Sequence, residues 1–159
     1  MPTTYLAFDY GAKRTGLAVG NDLLCTTQPL PAIATTQLRN ADGKLILETI
    51  QSIIKTWKIN HLVFGAPLDA DAQETTQSKR IKRIGHQLGN ALALPVSFAD
   101  ERYSSSEADR MLRERQPTGK KLTAKNRALR DSIAAQLILE AYFSGIKMNL
   151  ATTLSHPMP

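Results

Sequence analysis

Cysteine is almost missing from this chain, which has only Cys25 among its 159 residues. An intrachain disulfide is therefore impossible, and a zinc site built from several cysteines is excluded. Long hydrophobic runs are also missing, since none approaches the roughly 20 residues that a membrane-spanning helix needs. No basic segment with a cleavage site precedes the first apolar run. These absences predict a cytoplasmic protein with no membrane partner.

Acidic residues are in deficit, with 14 Asp and Glu against 20 Lys and Arg and a formal net charge of +6. A basic balance of this kind favours a polyanionic partner. The excess is concentrated between residues 113 and 130, which we call the basic segment. A solvated loop is its plainer interpretation, and a flap that binds the phosphates of nucleic acid is the favoured one. Its basic residues are Arg113, Arg115, Lys120, Lys121, Lys125, Arg127 and Arg130, against the single acid Glu114.

Hydrophobic periodicity predicts a single α/β domain over residues 1–146, followed by a disordered tail over residues 147–159. Three strands come first and read as a hairpin meander, and βα units follow, so a mixed sheet covered by helices is expected. The predicted strands are Tyr5–Tyr10, Thr15–Val19, Leu24–Ile33, His61–Ala66 and Pro95–Ala99. The predicted helices follow Gly43, follow Glu74, begin at Ser104, and run from Thr123 to Ser144 with Gly145 as the stop.

Two carboxylates are predicted at strand ends. Asp9 lies near the end of the first strand, on the face of Tyr5 and Ala7, where an isolated charge is costly. It either caps its own turn through neighbouring amides or binds a cation. Glu101 directly follows the fifth strand, where ligands gather in open α/β sheets, although a solvated loop is the alternative.

A third carboxylate lies on the last helix. Stepping about 100° per residue places Asp131 on one face with Ala135, Ile138 and Tyr142. That face should be packed, so the carboxyl group should be protonated, bound to a cation, or paired in a salt bridge with Arg127 or Arg130. Three carboxylates on separate elements suit Mg²⁺ or Mn²⁺, and two such ions support phosphodiester hydrolysis.

Four short motifs occur in an order that resembles the YqgF family, whose members are described as Holliday-junction resolvases or pre-16S rRNA nucleases. The motifs are Asp9-Tyr10-Gly11 with Lys13-Arg14, Gly65-Ala66-Pro67-Leu68, Asp100-Glu101-Arg102, and the helix from Asp131 to Leu139. The resemblance implies an RNase H-like fold, with a mixed five-stranded sheet and helices on both faces. It also implies a metal-dependent nuclease in which Asp9, Glu101 and Asp131 are the catalytic, metal-binding residues, acting with Mg²⁺ or Mn²⁺, as two ions.

The expected substrate is nucleic acid, either pre-rRNA or branched DNA, bound by a monomer or a homodimer. The residues expected to contact its phosphates are Lys13, Arg14, Arg102, Lys120, Lys121 and Lys125. Two rival interpretations stay open. An Asp-x-Gly hairpin also opens the ATP-binding sugar kinase and actin superfamily, which needs two domains, and a non-catalytic RNA- or ribosome-binding module would keep the carboxylates as structural residues.

Overall fold

A computed structural model describes residues 2–67, 73–100 and 124–155, with side chains described for 2–67, 73–99 and 127–145. The strands are β1 (Thr4–Tyr10), β2 (Arg14–Asn21), β3 (Thr26–Ala34), β4 (His61–Ala66) and β5 (Val96–Asp100). The helices are α1 (Glu48–Trp57), α2 (Thr76–Leu92) and α3 (Ala124–Ser155), and a 3-10 turn covers Thr35–Gln37. The helix predicted from Ser104 lies outside the described residues.

One mixed sheet has the strand order β3-β2-β1-β4-β5, with β1 in the centre as predicted. β1, β2 and β3 pair antiparallel, whereas β4 and β5 continue from β1 in parallel. The carboxyl ends of the three parallel strands therefore lie along one edge. The register at that edge pairs Phe8 with Phe64 and Ala66 with Asp100.

Helices cover both faces of the sheet, because the alternating side chains of the strands are apolar on both sides. Leu6 and Phe8 point toward α1 and α2, and the ring of Phe8 stacks on Phe64 at a centroid distance of 4.3 Å. Burying such a ring stabilises the fold by about 1.5–3 kcal/mol. On the other side, which we call the α3 face, Ala7 and Ala18 are fully buried and small, so that α3 packs close to the sheet.

Two predicted boundaries near the first helix are wrong. β3 begins at Thr26, because Leu24 lies in a turn and Cys25 adopts a positive φ of 51° that breaks the extended run. α1 begins at Glu48, later than the predicted start after Gly43. The backbone before it is engaged elsewhere, since the amide of Ile46 donates to the carbonyl of Leu38 at 2.7 Å.

The predicted end of the last helix at Gly145 is also wrong, since α3 continues to Ser155. Gly43 is the only glycine with positive φ in the described part of the chain, so Gly145 does not form the left-handed cap that ends many helices. A glycine inside a helix costs only about 1 kcal/mol relative to alanine. α3 thus runs through residues 147–155, the first part of the predicted tail, and the domain boundary at residue 146 stays a prediction. No described helix is long and apolar enough to cross a membrane.

Candidate active site

Asp9 is the second-last residue of β1 and is half-buried, as its pattern predicts. It shares the strand parity of Tyr5 and Ala7, both of which pack against α3, so it belongs to the α3 face. Its directly opposed neighbour on β2 is Gly16. Directly opposed residues in an antiparallel pair lie about 4.5–5.5 Å apart, so whatever contacts Gly16 is close to Asp9.

Gly16 is a point at which the backbone of α3 lies very close to the sheet. A Cβ atom at this position would lie 1.9 Å from the carbonyl oxygen of Asp131 and 3.0 Å from the amide nitrogen of Ser132. The next residue of the helix fixes the approach, because the Ser132 hydroxyl donates to the carbonyl of Leu30 on β3 at 2.5 Å. The absence of a side chain at Gly16 therefore brings the backbone of Asp131 next to Asp9.

Asp131 carries a largely buried charge that two arginines contact. Its exposed fraction is 9%, and Ala135 and Ile138 on the same helix face are fully buried, as the helical periodicity predicts. The Arg14 Nε donates to Oδ2 at 2.7 Å, and the Arg130 Nη2 lies 3.6 Å from Oδ1. The sequence correctly suggests Arg130 as a partner but misses the closer Arg14, which lies 117 residues away in the chain.

A buried pair of threonines holds the turn that carries Lys13 and Arg14. The Thr35 hydroxyl donates to the carbonyl of Gly11 at 2.6 Å, and the two hydroxyl oxygens of Thr15 and Thr35 are 2.9 Å apart. Because the single Thr35 proton is already given to Gly11, Thr15 is the donor between them. The amide of Thr35 also donates to the carbonyl of Lys13 at 3.0 Å. Nothing in the local sequence predicts this network.

The remaining predicted site residues are not all within the described part of the chain. Glu101, Arg102, Lys120 and Lys121 lie outside the described residues, and for Lys125 the backbone alone is described, in the first turn of α3. Within the described ranges no group of three or more His, Cys, Asp or Glu side chains is arranged to hold a metal ion. The roles assigned to these residues and to Asp9 and Asp131 stay predictions.

The chemistry of the two described carboxylates nonetheless fits a hard divalent cation. Oxygen ligands from carboxylates are those that Mg²⁺ and Mn²⁺ prefer. The Asp131 carboxyl group is mostly buried and contacts Arg14, and a bound cation is the other kind of partner that a buried carboxylate can have. Asp9 is paired with Gly16 in the sheet register and would supply a second oxygen ligand.

A second polar cluster lies at the opposite edge of the sheet, where the parallel strands begin. His61 Nε2 is 2.8 Å from the Ser97 hydroxyl, which also accepts from Tyr142 at 3.1 Å. Burial lowers the pKa of His61, and burial, followed by the neighbouring Tyr142 and Asp22, raises the pKa of Tyr5 to about 12. Both shifts favour the neutral forms, so this cluster is a satisfied polar part of the core.

Comparison with known proteins gives consistent results. The model of a family described as "RuvX: Holliday junction resolvase" matches residues 3–145. A protein of Burkholderia vietnamiensis is 37% identical over 140 residues, covering 88% of each chain. One of Dechloromonas aromatica is 38% identical over 143 residues, covering 88% of this chain and 90% of the relative. Both are named "Putative pre-16S rRNA nuclease".

A solved structure, that of T. thermophilus RuvC in complex with a Holliday junction substrate, is similar in fold. The TM-score is 0.50 at 10% sequence identity, with 91% of this chain and 96% of the other covered. At this identity the likeness concerns the fold alone. It confirms the predicted RNase H-like architecture, whose mixed five-stranded sheet with helices on both faces is described above.

Proposed function

The chain belongs to the RuvX (YqgF) family, and from this premise we propose that it is a metal-dependent endonuclease that processes the 5′ end of pre-16S rRNA in the cytoplasm. The observation that carries the proposal is the contact at Gly16. It brings Asp131 of α3 beside Asp9 of β1, at the edge where the parallel strands end. Ligand sites of open α/β sheets lie at that edge.

Asp9, Asp131 and Glu101 are the proposed metal ligands, with Mg²⁺ or Mn²⁺ bound as two ions. When bound, such ions activate a water molecule and stabilise the leaving oxygen of the phosphodiester. Glu101 lies outside the described residues. It is proposed as the third ligand because it directly follows β5 in the sequence, in the motif Asp100-Glu101-Arg102 that resembles the family. Asp131 and Asp9 would hold the two sides of the site from fixed backbone positions.

Two of the proposed phosphate contacts, Lys13 and Arg14, lie at the turn that follows Asp9. Lys13 is exposed and Arg14 is about one-third exposed, both at the turn that the two threonines anchor. Neutralising phosphates in this way supplies most of the sequence-independent affinity for nucleic acid. The further proposed contacts are Arg102, Lys120, Lys121 and Lys125.

The name of the relatives favours pre-16S rRNA as the substrate, whereas the description of the family favours a four-way DNA junction as the second candidate. A junction resolvase would act as a homodimer, because the junction presents two equivalent strands. A monomer suffices for a single cut in RNA. A non-catalytic RNA-binding module is the third outcome, and it predicts binding without cleavage.

The test is a cleavage assay on labelled pre-16S leader RNA and a labelled four-way DNA junction, with Mg²⁺ or Mn²⁺ and with EDTA. We expect metal-dependent cleavage of the RNA. Asp9→Asn and Asp131→Asn should each reduce the rate by at least about 100-fold, the lower end of what a positioned catalytic group contributes. The matched control is Asp42→Asn, an exposed carboxylate in the turn before α1. Cleavage that persists in EDTA, or binding with no cleavage of either substrate, would overturn the proposal.

A further inference from the structure

Arg14 occupies the position of a counter-cation for Asp131. Its Nε is 2.7 Å from Oδ2, closer than the second arginine contact, which Arg130 makes at 3.6 Å. The Asp131 side chain is 12% exposed. A carboxylate that is so little solvated is costly without a positive partner. A metal ion at this carboxylate and the Arg14 guanidinium would therefore satisfy the same requirement.

The two partners of this ion pair differ in their freedom to move. Asp131 is fixed by the close packing of its backbone on Gly16 and by the hydrogen bond of Ser132. Arg14 has a long side chain that is 35% exposed, at the start of β2. The loss of Asp131 as a partner therefore costs Arg14 little, because water or a phosphate oxygen can accept its hydrogen bonds. Without Arg14, in contrast, Asp131 keeps only the longer 3.6 Å contact with Arg130, so that a further cation is favoured there.

We propose that Arg14 pairs with Asp131 in the metal-free protein, and that a bound divalent metal ion displaces it from Asp131 so that it contacts a phosphate of the nucleic acid. We call this exchange of partners the Arg14 latch. The inference rests on the proposed function, which supplies the metal and the phosphate. No covalent step is involved, since one positive partner of Asp131 replaces another. Two binding events that draw on one shared residue are coupled, and the coupling acts equally in both directions.

The competition between Arg14 and metal for Asp131 is tested by measuring the affinity for Mg²⁺. Isothermal titration calorimetry compares the native protein with the variants Arg14→Gln and Lys13→Gln. We expect Arg14→Gln to bind Mg²⁺ about three- to tenfold more tightly, because no guanidinium competes for Asp131. Lys13→Gln is the matched control: it removes the same charge from the same exposed turn and should change the affinity by less than about twofold. Equal effects of the two substitutions would overturn competition, since general electrostatics would then explain both.

The contact between the released Arg14 and a phosphate is tested without metal, in EDTA. Fluorescence anisotropy measures the affinity for a labelled pre-16S leader RNA. Asp131→Asn frees Arg14, so it should bind the RNA about three- to tenfold more tightly than the native protein. In an Arg14→Gln background the same substitution should gain less than about twofold. Equal gains in both backgrounds would overturn the phosphate role of Arg14. Circular dichroism of each variant verifies that it is folded.

Failure of the proposed function is distinguishable from failure of the latch. If the native protein binds no Mg²⁺ by calorimetry, the proposed metal-dependent nuclease is contradicted. The effect of Asp131→Asn on RNA binding in EDTA, with and without Arg14, still decides whether Arg14 can leave Asp131 and bind a phosphate. A native protein that binds Mg²⁺, with an affinity that Arg14→Gln leaves unchanged, retains the nuclease proposal and refutes the latch.

Discussion

Replacing Gly16 with alanine tests the contact on which the candidate site depends. The new Cβ would lie 1.9 Å from the carbonyl oxygen of Asp131, whereas ordinary contact begins at 3.4 Å. The deficit is 3.4 − 1.9 = 1.5 Å. Both atoms belong to rigid parts of the chain, the Cβ of a strand and the backbone of a helix, so no side chain can rotate away. α3 must shift by about that distance in order to accept the methyl group.

The cost has two sources. Overpacking of a close contact costs typically about 1–3 kcal/mol. The shift also weakens the hydrogen bond from Ser132 to Leu30, which contributes about 0.5–1.5 kcal/mol. We therefore expect Gly16→Ala to lower the free energy of unfolding by about 2–4 kcal/mol. For a domain of this size the melting temperature should fall by roughly 5–15 °C.

Gly145→Ala is the matched control, because it makes the same chemical change within α3 at a position where a Cβ meets nothing within 4 Å. Alanine is the better helix former by about 1 kcal/mol, so this variant should melt at the native temperature or a few degrees above it. Thermal unfolding followed by circular dichroism measures both. A Gly16→Ala protein that melts within 2 °C of the native one, a margin of roughly 1 kcal/mol or less, would refute the close approach of α3.

Two further predictions concern the buried polar groups. Thr35→Val removes the hydroxyl that links Gly11 and Thr15, so that the free energy of unfolding measured in urea should fall by about 1–3 kcal/mol. The control Thr36→Val, at the neighbouring exposed position, should change this free energy by less than about 0.5 kcal/mol. Burial lowers the pKa of His61 in the folded protein, so that below about pH 6.5 the unfolded chain protonates this histidine more readily than the folded protein does. The free energy of unfolding in urea should therefore be lower at pH 5.5 than at pH 7.5, and His61→Gln should reduce this difference between the two pH values. An unchanged Thr35→Val protein, or a pH dependence that His61→Gln leaves intact, would contradict these accounts.

Local patterns predicted the strands and helix faces well, because periodicity depends on neighbouring residues alone. The alternation of Tyr5–Tyr10 identified both the central strand and the face of Asp9. The roughly 100° step of a helix placed Asp131 with Ala135 and Ile138 on a buried face, as observed. Helix and strand ends were less predictable. The turn at Leu24 and the continuation of α3 past Gly145 depend on backbone angles that residue type only biases.

Long-range contacts could not be predicted in the same way. Arg14 and Asp131 are 117 residues apart, and Thr15 and Thr35 are 20 apart, so no local period relates them. The sequence indicates that Asp131 needs a positive partner, since a buried charge without one is costly. The position at which α3 crosses the β1–β2 hairpin determines that Arg14 is close enough to pair with Asp131. That position depends on the absence of a side chain at Gly16.

β2 therefore determines the candidate site although it contributes none of the proposed metal ligands. Gly16 sets how close α3 comes to β1, Arg14 supplies the charge opposite Asp131, and Thr15 anchors the turn through Thr35. These contributions are separable, because Gly16→Ala displaces α3, whereas Arg14→Gln leaves Gly16 without a side chain and removes the guanidinium with its hydrogen bond to Asp131. Loss of activity in the first variant should accompany loss of stability. In the second, the affinity for metal and for nucleic acid should change while the packing of α3 on β2 remains.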